Sequence, residues 1–283
     1  MTWVALAAGC AGAPGADASR YAMRGQLVVV QLDTGQVLLK HDAIPGYMDA
    51  MTMLFRVADR AAIRDRRPGD LVTATLVVES DASYLEDMLL TGTAPLDDAA
   101  PTRPVADGLH ILTPGDAAPD TPLTTHRGAT VALPEWRGSA VAVTFIYTRC
   151  PLPDFCPLLD RRFAAIQEAV AADPALRGRV RLLSVSFDPD ADTPAILAAH
   201  AERAGAGADW HFATAPRAIV DRFAASFGVN VRREDDRTIT HNLRTAVIGP
   251  DGRVMGVRSG NDWTADELLA ELRQALGQPP TDR

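Results

Sequence analysis

The sequence is poor in cysteine, in aromatic residues and in long apolar stretches. Three of its 283 residues are cysteine, and 6% are aromatic. Small secreted scaffolds use several cysteine pairs spread along the chain, so this class is excluded. No segment has the roughly eighteen consecutive apolar residues of a membrane-spanning helix. A formal charge of −8 argues against nucleic acid as a partner, because its phosphates require a basic surface.

The length is sufficient for two domains, each with its own core. We predict a leader over 1–20, a first domain over 21–95, a linker over 96–107 and a second domain over 108–279. In the leader, a short apolar stretch ends in Gly9 and Cys10, as in a bacterial lipoprotein signal. This pattern predicts a periplasmic protein, anchored to a membrane through a lipid on Cys10. The alternative is an unstructured N-terminus with a chance cysteine.

Short strand-like segments separated by turns make up the first domain. Segments 26–32 and 36–40 flank Asp33-Thr34-Gly35, a hairpin signal in which glycine supplies the turn. Further strand-like segments follow at 53–57, 71–79 and 88–91. Such a series predicts a small all-β barrel of the OB-like kind.

The second domain alternates strands and helices. Segment 139–147 is a continuous apolar run, typical of a strand buried on both faces. Helical spacing follows directly over 156–172. We predict further strands at 109–113, 180–187, 244–249 and 254–258, and further helices from 193, over 216–227 and over 264–276. This order predicts an α/β, thioredoxin-like domain with two cysteines at the first strand-to-helix junction.

Four motifs of the second domain occur in a recognisable order. They are TFIYTRCPLPDFCP at 144–157, SVSFDPDADTP at 184–194, ADW at 208–210 and THN at 240–242. Together they resemble the Sco/SenC family of copper-binding proteins. The resemblance implies that Cys150, Cys156 and His241 bind copper, and that Asp188 supports the site from nearby. Three residues separate the cysteines in that family, whereas five separate them here.

The chemistry of these side chains favours copper. Thiolates are soft ligands that suit Cu(I), and an added imidazole also allows Cu(II). Structural zinc normally has four protein ligands, one more than Cys150, Cys156 and His241 provide. Cys156 is expected at a helix N-terminus, beside Cys150 and Arg149. This position predicts that both cysteines favour the thiolate form.

A second dense pattern, HDAIPGYMDAMTMLF, occupies 41–55 and contains three of the seven methionines. Thioethers are soft, neutral ligands for Cu(I). Met51 and Met53 alternate on a strand, so they point to one face. The pattern resembles CusF-like periplasmic copper-binding domains, and the resemblance implies a Cu(I) site at His41, Met51 and Met53. The alternative is that these methionines pack in the core. Met48 is either a further ligand or a packing residue.

Together the resemblances imply a copper metallochaperone, and not an enzyme, that delivers copper to a client such as the copper subunit of a respiratory oxidase. Two sites on one chain suggest that copper moves between them. The main alternative is a periplasmic thiol-disulfide oxidoreductase with Cys150 and Cys156 as its catalytic pair. The sequence lacks Cys-x-x-Cys, and it lacks proline between Arg217 and Gly249, where thioredoxins place one. A peroxidase and a copper sensor or resistance protein are further alternatives.

Overall fold

The computed structural model describes residues 18–96, 110–233 and 239–278. Cys10 and nearly all of the expected linker lie outside these ranges, so the lipoprotein prediction concerns residues that are not described. Within the described ranges, no helix combines the length and the apolar character needed to cross a bilayer.

The first sheet is antiparallel and has five strands. They are β1 (Ser19–Gln31), β2 (Gln36–His41), β3 (Met51–Arg56), β4 (Asp70–Val78) and β5 (Ser83–Thr93), in the spatial order β3-β2-β1-β4-β5. Gly35 ends the β1–β2 turn with φ 70°, as the hairpin signal requires. A single parallel bridge between Val57 and Leu85 joins the two ends of the sheet. The all-β prediction is confirmed, and in the described residues the edges meet at this bridge rather than along a full ladder.

The second domain contains a seven-stranded sheet. Its strands are β6 (Leu123–Thr125), β7 (Thr130–Val131), β8 (Ala140–Ile146), β9 (Val180–Ser186), β10 (Trp210–Thr214), β13 (Arg244–Ile248) and β14 (Val254–Ser259), in the order β14-β13-β8-β9-β10-β6-β7. The central β8, β9 and β10 are parallel, and β13 runs antiparallel to β8. Beside this sheet, β11 (Val231–Arg233) and β12 (Ile239–His241) form a separate pair.

Four helices complete the second domain, namely α1 (Cys156–Ala172), α2 (Pro194–Arg203), α3 (Arg217–Ser226) and α4 (Ala265–Ala275). All seven residues of β8 are buried, which explains its unbroken apolar sequence. Helix α1 places Leu159, Phe163 and Ile166 in the same core. The thioredoxin-like prediction is therefore confirmed.

One predicted strand is wrong. The described part of 109–113 contains no strand, because Leu112 donates its backbone hydrogen bond to the carbonyl of Ser226 at the end of α3 and not to a neighbouring strand. The short β6, β7, β11 and β12 were not predicted. They have two or three residues each, too few for a visible alternation of apolar and polar positions.

The loop between the two cysteines joins the domains. Leu152, in the middle of this loop, is fully buried in the hydrophobic core of the first domain. The Tyr47 hydroxyl donates to the Pro151 carbonyl at 3.1 Å, and the Ser83 hydroxyl donates to Asp154 at 2.6 Å. The second domain therefore contributes a core residue to the first, with hydrogen bonds on either side of it.

We predict that Leu152→Ala destabilises the docked protein by about 2–5 kcal/mol, because it removes buried apolar contacts and leaves a cavity between the domains. Denaturant unfolding followed by circular dichroism measures this change. Leu89→Ala is the matched control, since Leu89 is 64% exposed in the same domain and its loss is expected to cost less than about 0.5 kcal/mol. Equal stability of the two variants would contradict the packing role of Leu152.

Candidate functional site

The two cysteines lie where β8 leads into α1. Cys156 is the first residue of α1 and is 2% exposed, whereas Cys150 in the preceding loop is half-buried. Both are free thiols. A side-chain hydrogen bond links the two cysteines, and the Cys150 thiol also lies 4.0 Å from the Leu152 carbonyl. The longer spacing between the cysteines therefore still brings the two side chains into contact.

The two thiols differ in acidity. The hydrogen bond with Cys156 lowers the pKa of Cys150 below the ordinary value for a thiol. Burial, followed by the same hydrogen bond, raises the pKa of Cys156 well above it. The expected preference for thiolate is therefore found at Cys150, where the side-chain hydrogen bond with Cys156 and not the helix N-terminus is the main cause, and it is wrong for Cys156. Arg149 is directed elsewhere, because its guanidinium pairs with Asp188 at 2.6 Å.

Two buried carboxylates position the start of the cysteine loop. Asp188 is 5% exposed and holds Arg149, the residue before Cys150. Asp192 is fully buried and accepts hydrogen bonds from the backbone and the hydroxyl of Thr148, at 2.9 and 2.5 Å. Asp188 was predicted to support the site, whereas the contribution of Asp192 was missed.

Asp192 immediately precedes the residue that caps helix α2 and does not itself cap the helix. In the structure Thr193 is the cap, and its hydroxyl accepts from the backbone of Ile196. Asp192 also accepts from the hydroxyl of Ser186 at 2.5 Å. Thr148 and Ser186 precede Asp192 by 44 and 6 positions. The contact with Thr148 therefore leaves no signal in the local sequence.

His241 ends β12 and packs between two aromatic rings. Its ring centroid lies 4.6 Å from that of Phe187 and 5.5 Å from that of Tyr147. The Nδ1 atom donates to the Asn242 carbonyl at 3.2 Å, since a carbonyl only accepts, and Nε2 therefore carries the lone pair. Burial lowers the pKa of His241 to about 4, so the imidazole is neutral at physiological pH and suited to metal binding.

The residues of the first-domain motif share one face of the β2–β3 pair. His41 lies directly opposite Met51, and Met53 lies two residues further along the same strand. The Nδ1 atom of His41 donates to the Asp42 carbonyl at 2.7 Å, which leaves the lone pair on Nε2. Met48 and Met51 are both 6% exposed. The methionines therefore pack in the core and also form part of a cavity wall.

A small cavity of about 10 Å³ lies between the two domains. Among the residues that line it are Met48, Met51, Met53, Tyr147, Cys150 and His241. His41, opposite Met51 on the neighbouring strand, and Cys156, which contacts Cys150, are not among its lining residues. The fold thus brings part of each predicted metal-binding motif to a common surface.

The described residues contain no group of three or more His, Cys, Asp or Glu side chains arranged to hold a metal ion. Cys150 and Cys156 are in contact, and His241 faces the same cavity as Cys150. The other soft donors among the lining residues are the thioethers of Met48, Met51 and Met53, and the Tyr147 side chain lines the cavity as well.

Comparisons with known proteins agree with this two-domain organisation. The SCO1/SenC family model matches residues 114–277, which is more than half of the chain. The model described as copper binding periplasmic protein CusF matches residues 20–88. None of the curated proteins compared with the chain matches it.

Solved structures resemble the second domain. A SCO1/SenC family lipoprotein from Bacillus anthracis is 20% identical, with a TM-score of 0.51 over 58% of this chain and 98% of that one. Arabidopsis thaliana ScoI with copper bound is 18% identical, with a TM-score of 0.50 over 58% of this chain and all of that one. At such identities these similarities support the fold.

We predict that alkylation distinguishes the two thiols of the reduced, metal-free protein. Because the pKa of Cys150 is lowered, its reaction with iodoacetamide should reach half its maximal rate at a pH below that of an ordinary thiol. Cys156 should react far more slowly at every pH, because it is buried and its pKa is raised. Mass spectrometry of a Cys10→Ala background follows the two sites separately.

The variant Cys156→Ala tests whether the hydrogen bond with Cys156 lowers the pKa of Cys150. Loss of its thiol removes the hydrogen bond that stabilises the Cys150 thiolate, so the profile of Cys150 should move to higher pH. An unchanged profile would show that Cys156 does not control the acidity of Cys150.

Proposed function

Because this chain belongs to the SCO1/SenC family and carries a CusF-like domain, we propose that it is a copper metallochaperone, which acquires copper and passes it to a client protein. One observation carries the proposal: Cys150, His241 and three methionines of the first domain, Met48, Met51 and Met53, face a single small cavity. Thiolate, imidazole and thioether form a soft donor set that suits Cu(I). Cys150, Cys156 and His241 would bind copper in the second domain, and His41, Met51 and Met53 in the first.

The client that we propose is an exported protein with a thiolate-containing copper centre, such as the copper subunit of a respiratory oxidase. The resemblance to the Sco family supports this choice. We further propose a periplasmic location with a lipid anchor on Cys10. The leader pattern supports it, and so do the descriptions of CusF as periplasmic and of the Bacillus anthracis relative as a lipoprotein.

We predict that Cys150→Ala and His241→Ala each weaken Cu(I) binding by at least about tenfold, since even the loss of a partner behind a ligand costs that much. Competition with a chromophoric Cu(I) chelator, under reducing and anaerobic conditions, measures the affinity. His110→Ala is the matched control, because His110 is an exposed histidine paired with Asp116. Unchanged affinity in both site variants would refute the proposed copper ligands.

Delivery is a separate prediction. The copper-loaded protein should transfer copper to the metal-free, reduced copper domain of an oxidase faster than a copper–chelator complex of equal affinity does. The copper content of the re-isolated client measures the transfer. If the loaded protein and the chelator deliver copper at the same rate, the protein stores copper and does not act as a chaperone for this client.

A thiol-disulfide oxidoreductase is the second candidate. The observation that favours it is the acidic, half-buried Cys150 in contact with the less acidic Cys156, an arrangement suited to nucleophilic attack followed by resolution. Assays on the same oxidase copper domain distinguish disulfide reduction from copper delivery. A reductase should reduce the client disulfide equally well as wild type and as His241→Ala, whereas copper delivery should require His241.

A further inference from the structure

We propose that Met51 and Met53 bind the same Cu(I) ion as Cys150 and His241, so that the two motifs form one composite site between the domains. This inference rests on the proposed copper function and changes its stoichiometry and its ligands, because His41 and Cys156 do not line the cavity and are not ligands of the composite site. Two separate motifs predict two copper ions on each chain, whereas a composite site predicts one. In that site no movement of copper between the domains is needed.

Backbone contacts hold the two motifs together. The backbone N–H of Thr52, between Met51 and Met53, donates to the Thr240 hydroxyl at 3.1 Å. Thr240 immediately precedes His241. This hydrogen bond joins the Met-x-Met strand β3 to the histidine strand β12, although 188 positions separate the bonded residues. The two methionines and the histidine are therefore neighbours through the fold itself.

The first domain also holds the loop that follows Cys150. Leu152 is buried in the first-domain core, two residues after Cys150. The Tyr47 hydroxyl binds the intervening Pro151 carbonyl at 3.1 Å. The cysteine loop and the methionine strand are thus attached to the same domain, which keeps Cys150 facing the thioethers.

The volume of the cavity and the charges of its lining residues determine which ligand it can hold. Its volume of about 10 Å³ is close to that of one water-sized sphere, which admits a single ion and excludes a bulky ligand. Among the described residues, no Asp, Glu, Lys or Arg lines it. A Cu(I) ion and one thiolate are neutral together, whereas a divalent ion with the same ligands leaves an uncompensated buried charge, which is costly.

Binding at this site is a ligand exchange without electron transfer. Cu(I) leaves its donor, the Cys150 sulfur gives its proton to solvent, and a copper–sulfur bond forms. The two thioethers and Nε2 of His241 bind as neutral ligands.

A larger cavity of about 260 Å³ adjoins the composite site. Phe155 and His241 line both cavities, so these two side chains form the wall between them. The larger cavity also lies between the domains, with Leu38 and Leu54 on one side and Leu243 on the other.

X-ray absorption at the copper edge tests the composite site directly. The full-length protein is labelled with selenomethionine, reduced, and loaded anaerobically with Cu(I) in excess before unbound metal is removed. We expect one copper per chain, with both selenium and lighter sulfur scatterers around it. The double variant Met51→Leu/Met53→Leu should lose the selenium scattering and bind Cu(I) at least about tenfold more weakly.

The matched control is Met23→Leu/Met88→Leu, which replaces two buried methionines of the same core that do not line the cavity. It should retain one copper, the selenium scattering and the wild-type affinity. Cys150→Ala should also weaken binding of this single ion, because the thioethers and the imidazole that remain are all neutral ligands.

Two other results would contradict the composite site, and they have different consequences for the proposed function. Two coppers per chain, of which Met51→Leu/Met53→Leu removes one and leaves the other unchanged, would mean separate sites and leave the chaperone function intact. Binding that is insensitive to Cys150→Ala and His241→Ala would refute the composite site and the proposed copper ligands together.

Discussion

The burial of Leu152 is the constraint on which the arrangement of this molecule depends. An apolar side chain of the second domain completes the core of the first, and its removal from water stabilises the docked state. The residues on either side cannot move independently, because Tyr47 holds Pro151 and Ser83 holds Asp154. The position of Cys150 is consequently fixed relative to both domains, and so is the cavity that it lines.

Local sequence patterns predicted the elements that local physical chemistry determines. The apolar run of β8 indicated a strand buried on both faces, and the spacing of Leu159, Phe163 and Ile166 indicated helix α1 from its first residue, Cys156. Gly35 marked the hairpin between β1 and β2. Each of these signals extends over a few residues, which is why the sequence alone is sufficient for them.

Contacts between distant residues were not predictable in this way. The spacing of the cysteines was recognised as unusual, yet nothing in the loop sequence states that Leu152 enters another domain's core. The role of Asp192 depends on Thr148, and the neighbourhood of the two motifs depends on the hydrogen bond between Thr52 and Thr240. The difference in acidity between the thiols likewise follows from the hydrogen bond between them and from the burial of Cys156, which a residue's neighbours in sequence do not determine.

The extended cysteine loop has a chemical consequence for a carrier of copper. A carrier must bind its ion strongly enough to exclude competitors and weakly enough to release it to a client. In the composite site that we propose, one thiolate supplies the charge, while neutral thioethers and an imidazole supply the remaining ligands. Neutral ligands are replaced by an incoming thiolate without separating opposite charges in a buried space. In such a site, docking of the first domain would complete the coordination of Cu(I) without making its release prohibitive.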